Sequence, residues 1–210
     1  MSYHGVASDI RKPLNLDKWV TFYFFSKIVC TVEKVLSLSL GFFHFYGKIF
    51  YQRMLEKELE MLDLRPHAKI LHIGTGSLPY TAFYLAKKGF DIQGIDLDPT
   101  AVRRSNILLK HLKMSRTIQI IERSGLSIDP SSFDAVWISL HVSNKDLIIK
   151  SLLIKTGNGL SIICREPRSW LSFFYLKTKK DVCFKGLEYN KCINRLGKKS
   201  IAIIKKKESV

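Results

Sequence analysis

The sequence predicts an α/β protein: a doubly wound, Rossmann-like sheet with an N-terminal helical lid. Three observations predict it. Short β-branched runs alternate with helix-like segments after Pro66, a glycine turn (74-GTG-76) directly follows the first run, and Asp96 ends the second. We expect the lid region over residues 1–65 and the sheet domain over 66–210.

Strand candidates are 69-KILHI-73, 91-DIQGID-96, 117-TIQIIE-122, 134-DAVWIS-139 and 159-GLSIICRE-166, with further runs at 182-VCFKG-186 and 200-SIAIIK-205. Helix-like segments fill 79–89, 99–113 and 143–154. Runs apolar along their whole length suit strands buried on both faces, so the sheet is parallel, with a last strand that can be antiparallel. In such sheets ligands bind beyond the C-terminal strand ends, where the strand order reverses. That places the site at the ends of the first, second and fourth strands. In 98-DPTAV-102, Asp98 reads as a helix N-cap and Pro99 as the first helical residue.

Ahead of the sheet, Phe25, Ile28, Val29, Val32 and Leu36 recur at helical spacing, and Tyr46, Ile49, Phe50, Met54 and Met61 mark a second helix from about Phe45 to Leu62. Gly41 is the expected break between them. This aromatic pair reads either as a lid on the site or as a membrane-surface patch.

Composition bounds the function. The chain has 210 residues, 46% hydrophobic and 25% charged, enough for one cored domain with an appendage and not a disordered segment. The longest uncharged run near the N-terminus, 35-VLSLSLGFFHFYG-47, falls short of the ~20 residues that span a bilayer. No secretory signal core opens the chain, and Cys30, Cys164, Cys183 and Cys192 form no CxxC pair, so neither zinc nor a redox dithiol is expected. These features suit a cytoplasmic protein, with peripheral membrane contact left open. The net charge of +16 favours anionic partners, whether a carboxylate substrate, a membrane surface or nucleic acid, or else a solvated lysine-rich exterior.

The glycine turn carries most of the chemistry. Glycine permits positive φ and lets a ligand approach the backbone, and Asp96, 22 positions after Gly74, can accept both hydroxyls of a ribose. A dinucleotide fingerprint needs GxGxxG, and Pro79 stands at its third glycine; no GK[ST] of a phosphate loop follows. The remaining common user of this layout is S-adenosylmethionine (SAM), in the class I methyltransferase fold.

Within that fold the turn departs from the usual pattern. His72 replaces the customary acid two residues before the first glycine, and Leu78 replaces a third glycine. With these departures, 74-GTGSLPYTA-82 resembles nicotianamine synthase and its opine-metallophore relatives, as do 43-FHFYGKIFYQRMLEKELEML-62 and 159-GLSIICREPRSWLSFFYL-176. The likeness covers about residues 40–178. It implies transfer of the 3-amino-3-carboxypropyl group of SAM to a small amine. It places the donor against Gly74, Thr75, Gly76, Leu78 and Pro79, Asp96 and Leu97, and Ser124 and Gly125, with adenine also near Leu126 where an Asp is usual. It puts Tyr51 and Glu33 forward as catalytic, to position the amine and take its proton. Tyr51 packing in an aromatic lid and Glu33 as a solvated helix residue are the plainer readings.

His141, after the fourth strand, is a third catalytic candidate or a structural histidine, and His72 reads as a hydrogen-bonded core residue. Arg165 and Arg168 flank Glu166, where they either grip a carboxylate or form a local ion pair. Trp170, Phe173, Phe174 and Tyr175 read as core or lid. Methyl transfer to a small molecule or lipid, and a non-catalytic nucleotide- or membrane-surface-binding role, remain the alternative functions.

Overall fold

The structure, a computed structural model, describes residues 20, 27–28, 31, 40–156, 159–167, 188–193 and 198–204. Seven strands form one sheet in the order β3-β2-β1-β4-β5-β7-β6. They are β1 (Lys69–Ile73), β2 (Asp91–Asp96), β3 (Ile118–Glu122), β4 (Ala135–Ile138), β5 (Ser161–Pro167), β6 (Glu188–Ile193) and β7 (Lys198–Ile204). The pairs among β1 to β5 are parallel, while β7 runs antiparallel to both β5 and β6. The chain steps outward from β1 through β2 to β3, then returns to β4 beside β1. That return opens a crevice above the β1 and β4 tips.

The central strands are buried along almost their whole length, as the near-continuous apolar runs required. Period-two alternation divides them between two cores. Ile70, Trp137, Ile163 and Ala202 face one side with Phe43, Leu55 and Leu85; Leu71, Val136, Ile162 and Ile203 face the other with Ile149 and Leu152.

The helices are α1 (Leu40–Gly47), α2 (Arg53–Glu60), α3 (Tyr80–Lys87), α4 (Pro99–His111) and α5 (Lys145–Lys155). At α4, Asp98 accepts a hydrogen bond from the Thr100 amide at 2.8 Å and Pro99 opens the helix, as the sequence indicates. A π-helical turn, Lys48–Gln52, joins α1 to α2. Such a turn holds more residues than an α-helical one and shifts the side-chain register, so Tyr51 faces differently than it would in an unbroken α-helix.

Several expectations change. Gly41 does not separate two helices; it is the second residue of α1, where a helical glycine costs only ~1 kcal/mol relative to alanine. Strand β6 has too few apolar residues to be seen in the sequence, and it forms by pairing with β7 at the sheet edge. The 16–40 helix is mostly outside the described residues, as is the 182–186 strand. Among the described residues, no helix is long and apolar enough to cross a membrane, and no cluster of His, Cys, Asp or Glu could hold a metal ion.

Gly47 ends α1 where the Tyr80 ring presses closest: a Cβ built there lies 1.8 Å from Tyr80 Cε2. The ring cannot yield easily, since it packs on Phe43 and Phe83 at centroid distances of 5.4 and 5.9 Å. Gly47→Ala therefore destabilises the protein by about 1–3 kcal/mol, read as a lower urea midpoint at unchanged slope.

Candidate functional site

Between β1 and β2 the glycine turn takes the backbone form that its residues permit. Gly74 has φ 77° and Gly76 φ 65°, values a side chain resists. At Gly74 there is also no room, since a Cβ would lie 2.4 Å from Val142 Cγ2. The Gly74 amide donates to the Ile95 carbonyl at 2.8 Å, fastening the turn to β2. The Gly76 amide donates to Asp96 Oδ2 at 2.7 Å, and the Asp98 amide to Asp96 Oδ1 at 3.0 Å. Two backbone donors thus hold the carboxylate in one orientation at the strand tip. An ionised carboxylate has about four acceptor sites, so two remain for a ligand.

A cleft of about 230 Å³ opens over these strand ends. Gly74, Thr75, Gly76, Leu78, Asp96, Leu97, Ser124 and Gly125 all line it, and Leu126 closes the same wall. Tyr51 and His141 line it as well. Pro79 does not: it stands one residue outside, as the N-cap of α3, where its fixed φ starts the helix. Glu33, Arg168, Trp170, Phe173, Phe174 and Tyr175 lie outside the described residues. Ser124 holds its own turn, its hydroxyl accepting from the Leu126 amide at 3.3 Å. The loop bearing His141 is tied down by buried Lys145, whose Nζ donates to the carbonyls of Leu140 at 2.9 Å and Arg165 at 2.6 Å.

Arg165 corrects the expectation of an ion pair with its neighbour. Glu166 pairs instead with Lys199 at 2.9 Å, because adjacent strand residues point to opposite faces. Arg165 reaches Glu58 on α2: Nε donates to Oε1 at 2.8 Å and Nη2 to Oε2 at 2.7 Å. Trp137 Nε1 donates to Oε2 at 3.0 Å, the Ser200 hydroxyl donates to Oε1, and Arg165 Nη1 donates to Thr81 Oγ1 at 2.9 Å. Glu58 is 0% and Arg165 2% exposed. Burial works against the guanidinium charge, and the Glu58 carboxylate more than offsets it, holding Arg165 above its ordinary range. The guanidinium sits 5.6 Å from the Tyr51 ring centroid and borders the cleft, so it links the buried acid to Tyr51. Glu58 escaped the sequence reading. Its signal is an acid on the same helical stripe as Leu55 and Leu62, matched by an arginine inside an apolar strand.

His72 is, as expected, a hydrogen-bonded core residue, with Nε2 2.8 Å from Ser139 Oγ. It is also part of the cleft wall, which its place inside β1 concealed. Its pKa falls from 6.5 to about 3, through burial first and the Arg165 charge second, so the ring is neutral at physiological pH.

The strand order, with antiparallel β7 between β5 and β6 and a glycine turn at the switch point, is that of the class I SAM-dependent methyltransferase fold. The structure is similar to that of the nicotianamine synthase MtNAS, with a TM-score of 0.77 at 16% identity, covering 91% of this chain and 76% of that one. Among curated proteins, 128 residues are 26% identical to L-histidine 2-aminobutanoyltransferase of Yersinia pestis, covering 56% of this chain and 48% of that protein. A further 28% identity over 133 residues, 58% of this chain, links it to phosphoethanolamine N-methyltransferase 3 of Arabidopsis thaliana, of which it covers 26%. The chain thus spans about half or less of these two curated relatives, both of which are named as transferases. No protein-family model matches it.

Removing one partner of a buried ion pair strands the other, so Glu58→Ala costs about 3–5 kcal/mol of unfolding free energy. By contrast Arg65→Ala, which breaks the largely exposed 3.1 Å pair with Asp134, costs under ~1 kcal/mol in the same urea titration. For His72, the unfolded state gains a proton as pH falls through 6.5, whereas the folded state does so only near 3. Stability is therefore full above 6.5 and is lost through the window from 6.5 down to 3, by up to ~1.4 kcal/mol per pH unit. His72→Gln removes that slope, measured as the difference from wild type across the window.

Proposed function

We propose that the chain is a SAM-dependent transferase that moves the 3-amino-3-carboxypropyl group of SAM to a small amine. The observation that carries the SAM reading is the Asp96 carboxylate, held by the Gly76 and Asp98 amides at the tip of β2 with half its acceptor sites unused. A ribose diol fits that acceptor pair. Gly125 and Leu126 offer an apolar wall to adenine, and the Gly74 backbone lines the cleft where the sulfonium arm would run.

SAM supplies a positively charged sulfur, which makes each adjoining carbon electrophilic and leaves as a neutral thioether. The chain has to present the amine unprotonated and aim it at one of those carbons. Attack on the amino-acid arm breaks its carbon–sulfur bond, sends the electron pair to sulfur and releases methylthioadenosine. Tyr51 and His141 both border the cleft; the His141 imidazole can take the proton that the new carbon–nitrogen bond displaces, and the Tyr51 hydroxyl can position the amine. The region 1–65 acts in this reading as the lid that encloses the amine, with Tyr51 its contribution to the site.

Support for transfer of the arm, rather than of the methyl group, comes from the turn 74-GTGSLP-79 and from the likeness to a protein named for moving an aminobutanoyl group to L-histidine. The likeness to phosphoethanolamine N-methyltransferase 3 favours the second reading, methyl transfer to a small molecule or lipid headgroup.

Mass spectrometry of the protein incubated with SAM and a panel of amino acids and small amines separates the two. Methylthioadenosine with an acceptor gain of the aminocarboxypropyl mass is the expected result; S-adenosylhomocysteine means methyl transfer. Asp96→Ala weakens SAM binding by roughly tenfold or more in either case.

A further inference from the structure

Two polar atoms at the cleft end of β1 and its turn are left without partners among the described residues. His72 Nδ1 and Thr75 Oγ1 are both buried, and both side chains border the cleft on either side of Gly74. A fold leaves few such atoms, and two in one cleft wall mark a place where a ligand completes the bonding.

The charge of that ligand group is set by its surroundings. Among the described residues lining the cleft, Asp96 is the only carboxylate, and the ribose reading above occupies it. No other lining residue can neutralise an ammonium. The other charged groups are Arg165, which lines the same cleft, acts on the His72 ring and is paired with buried Glu58, and Arg123, a second arginine in the lining. The contact between His72 Nε2 and Ser139 Oγ accommodates the matching tautomer, because a serine hydroxyl can donate as well as accept. With the serine hydroxyl donating to Nε2, the ring proton sits on Nδ1, and Nδ1–H and the Thr75 hydroxyl become two donors in the cleft wall. Such a set suits a carboxylate.

We propose that His72, oriented by Ser139, forms with Thr75 a subsite for the carboxylate of the donor's amino-acid arm. This rests on the SAM reading. It reverses the arrangement in which an acid two residues before the first glycine faces that arm: here a neutral ring takes the negative group.

Calorimetric titration of the wild type, His72→Phe and Thr75→Val with SAM, decarboxylated SAM and methylthioadenosine tests it. Decarboxylated SAM keeps the ammonium and lacks the carboxylate; methylthioadenosine lacks the whole arm. The wild type is expected to bind SAM at least about tenfold tighter than decarboxylated SAM. Each variant is expected to bring that ratio towards one while methylthioadenosine affinity changes less than about twofold, which also reports an intact fold. Thr75→Val preserves shape and carries the test if His72→Phe does not fold. A ratio unchanged in the variants, or a wild type that prefers decarboxylated SAM, overturns the subsite but leaves the nucleoside site standing. Failure of the wild type to bind any of the three overturns the SAM reading and the subsite with it.

Discussion

A single buried carboxylate joins the helical N-terminal run to the sheet. Glu58 accepts hydrogen bonds from Arg165 on β5, Trp137 on β4 and Ser200 on β7, so one acid on α2 fastens three strands. An uncompensated charge at 0% exposure is not tolerated, and this one is met by donors on nearly every acceptor site. The constraint is geometric as much as energetic. With α2 held at Glu58, the π-helical turn before it has one place to go, and Tyr51 arrives over the Arg165 guanidinium at the rim of the cleft. Thr81 takes another Arg165 donor, so α3, the helix leading out of the glycine turn, is tied into the same network.

The site therefore has two ends with different origins. The end proposed for the nucleoside is local: the glycine turn, Asp96 and Asp98 lie within one strand–turn–helix–strand unit, and backbone amides hold the Asp96 carboxylate. The other end of the cleft, where the proposed reaction would occur, is assembled from distant pieces, Tyr51 before the sheet, His72 inside it, His141 after β4 and Arg165 on β5. Of these, His72 is made by its burial and its bond to Ser139 a neutral hydrogen-bonding group at a position where the fold commonly carries a charge.

The same division explains what could be read from the amino-acid order. Strands β1 to β5, the turn, Asp96 and the Asp98 cap were legible because each depends on residues close in sequence: β-branched runs, glycines at positive φ, an acid two residues before the amide it accepts. Glu58 was not, because 53-RMLEKELE-60 looks like any charged amphipathic helix until Arg165, 107 positions later, is brought against it. The pairing of Arg165 with Glu166 failed for the complementary reason, that neighbours on a strand face apart. Pro79 lay inside a motif but serves the helix start, and β6 owes its existence to its partner rather than to its own residues.

Whether Asp96 is the ribose acceptor is tested most directly by a crystal structure of the protein with methylthioadenosine. The expected complex has both ribose hydroxyls on the Asp96 carboxylate, adenine against Gly125 and Leu126, and the thioether sulfur beside Gly74. A nucleoside bound away from the β2 tip, or with its ribose turned from Asp96, would contradict that assignment.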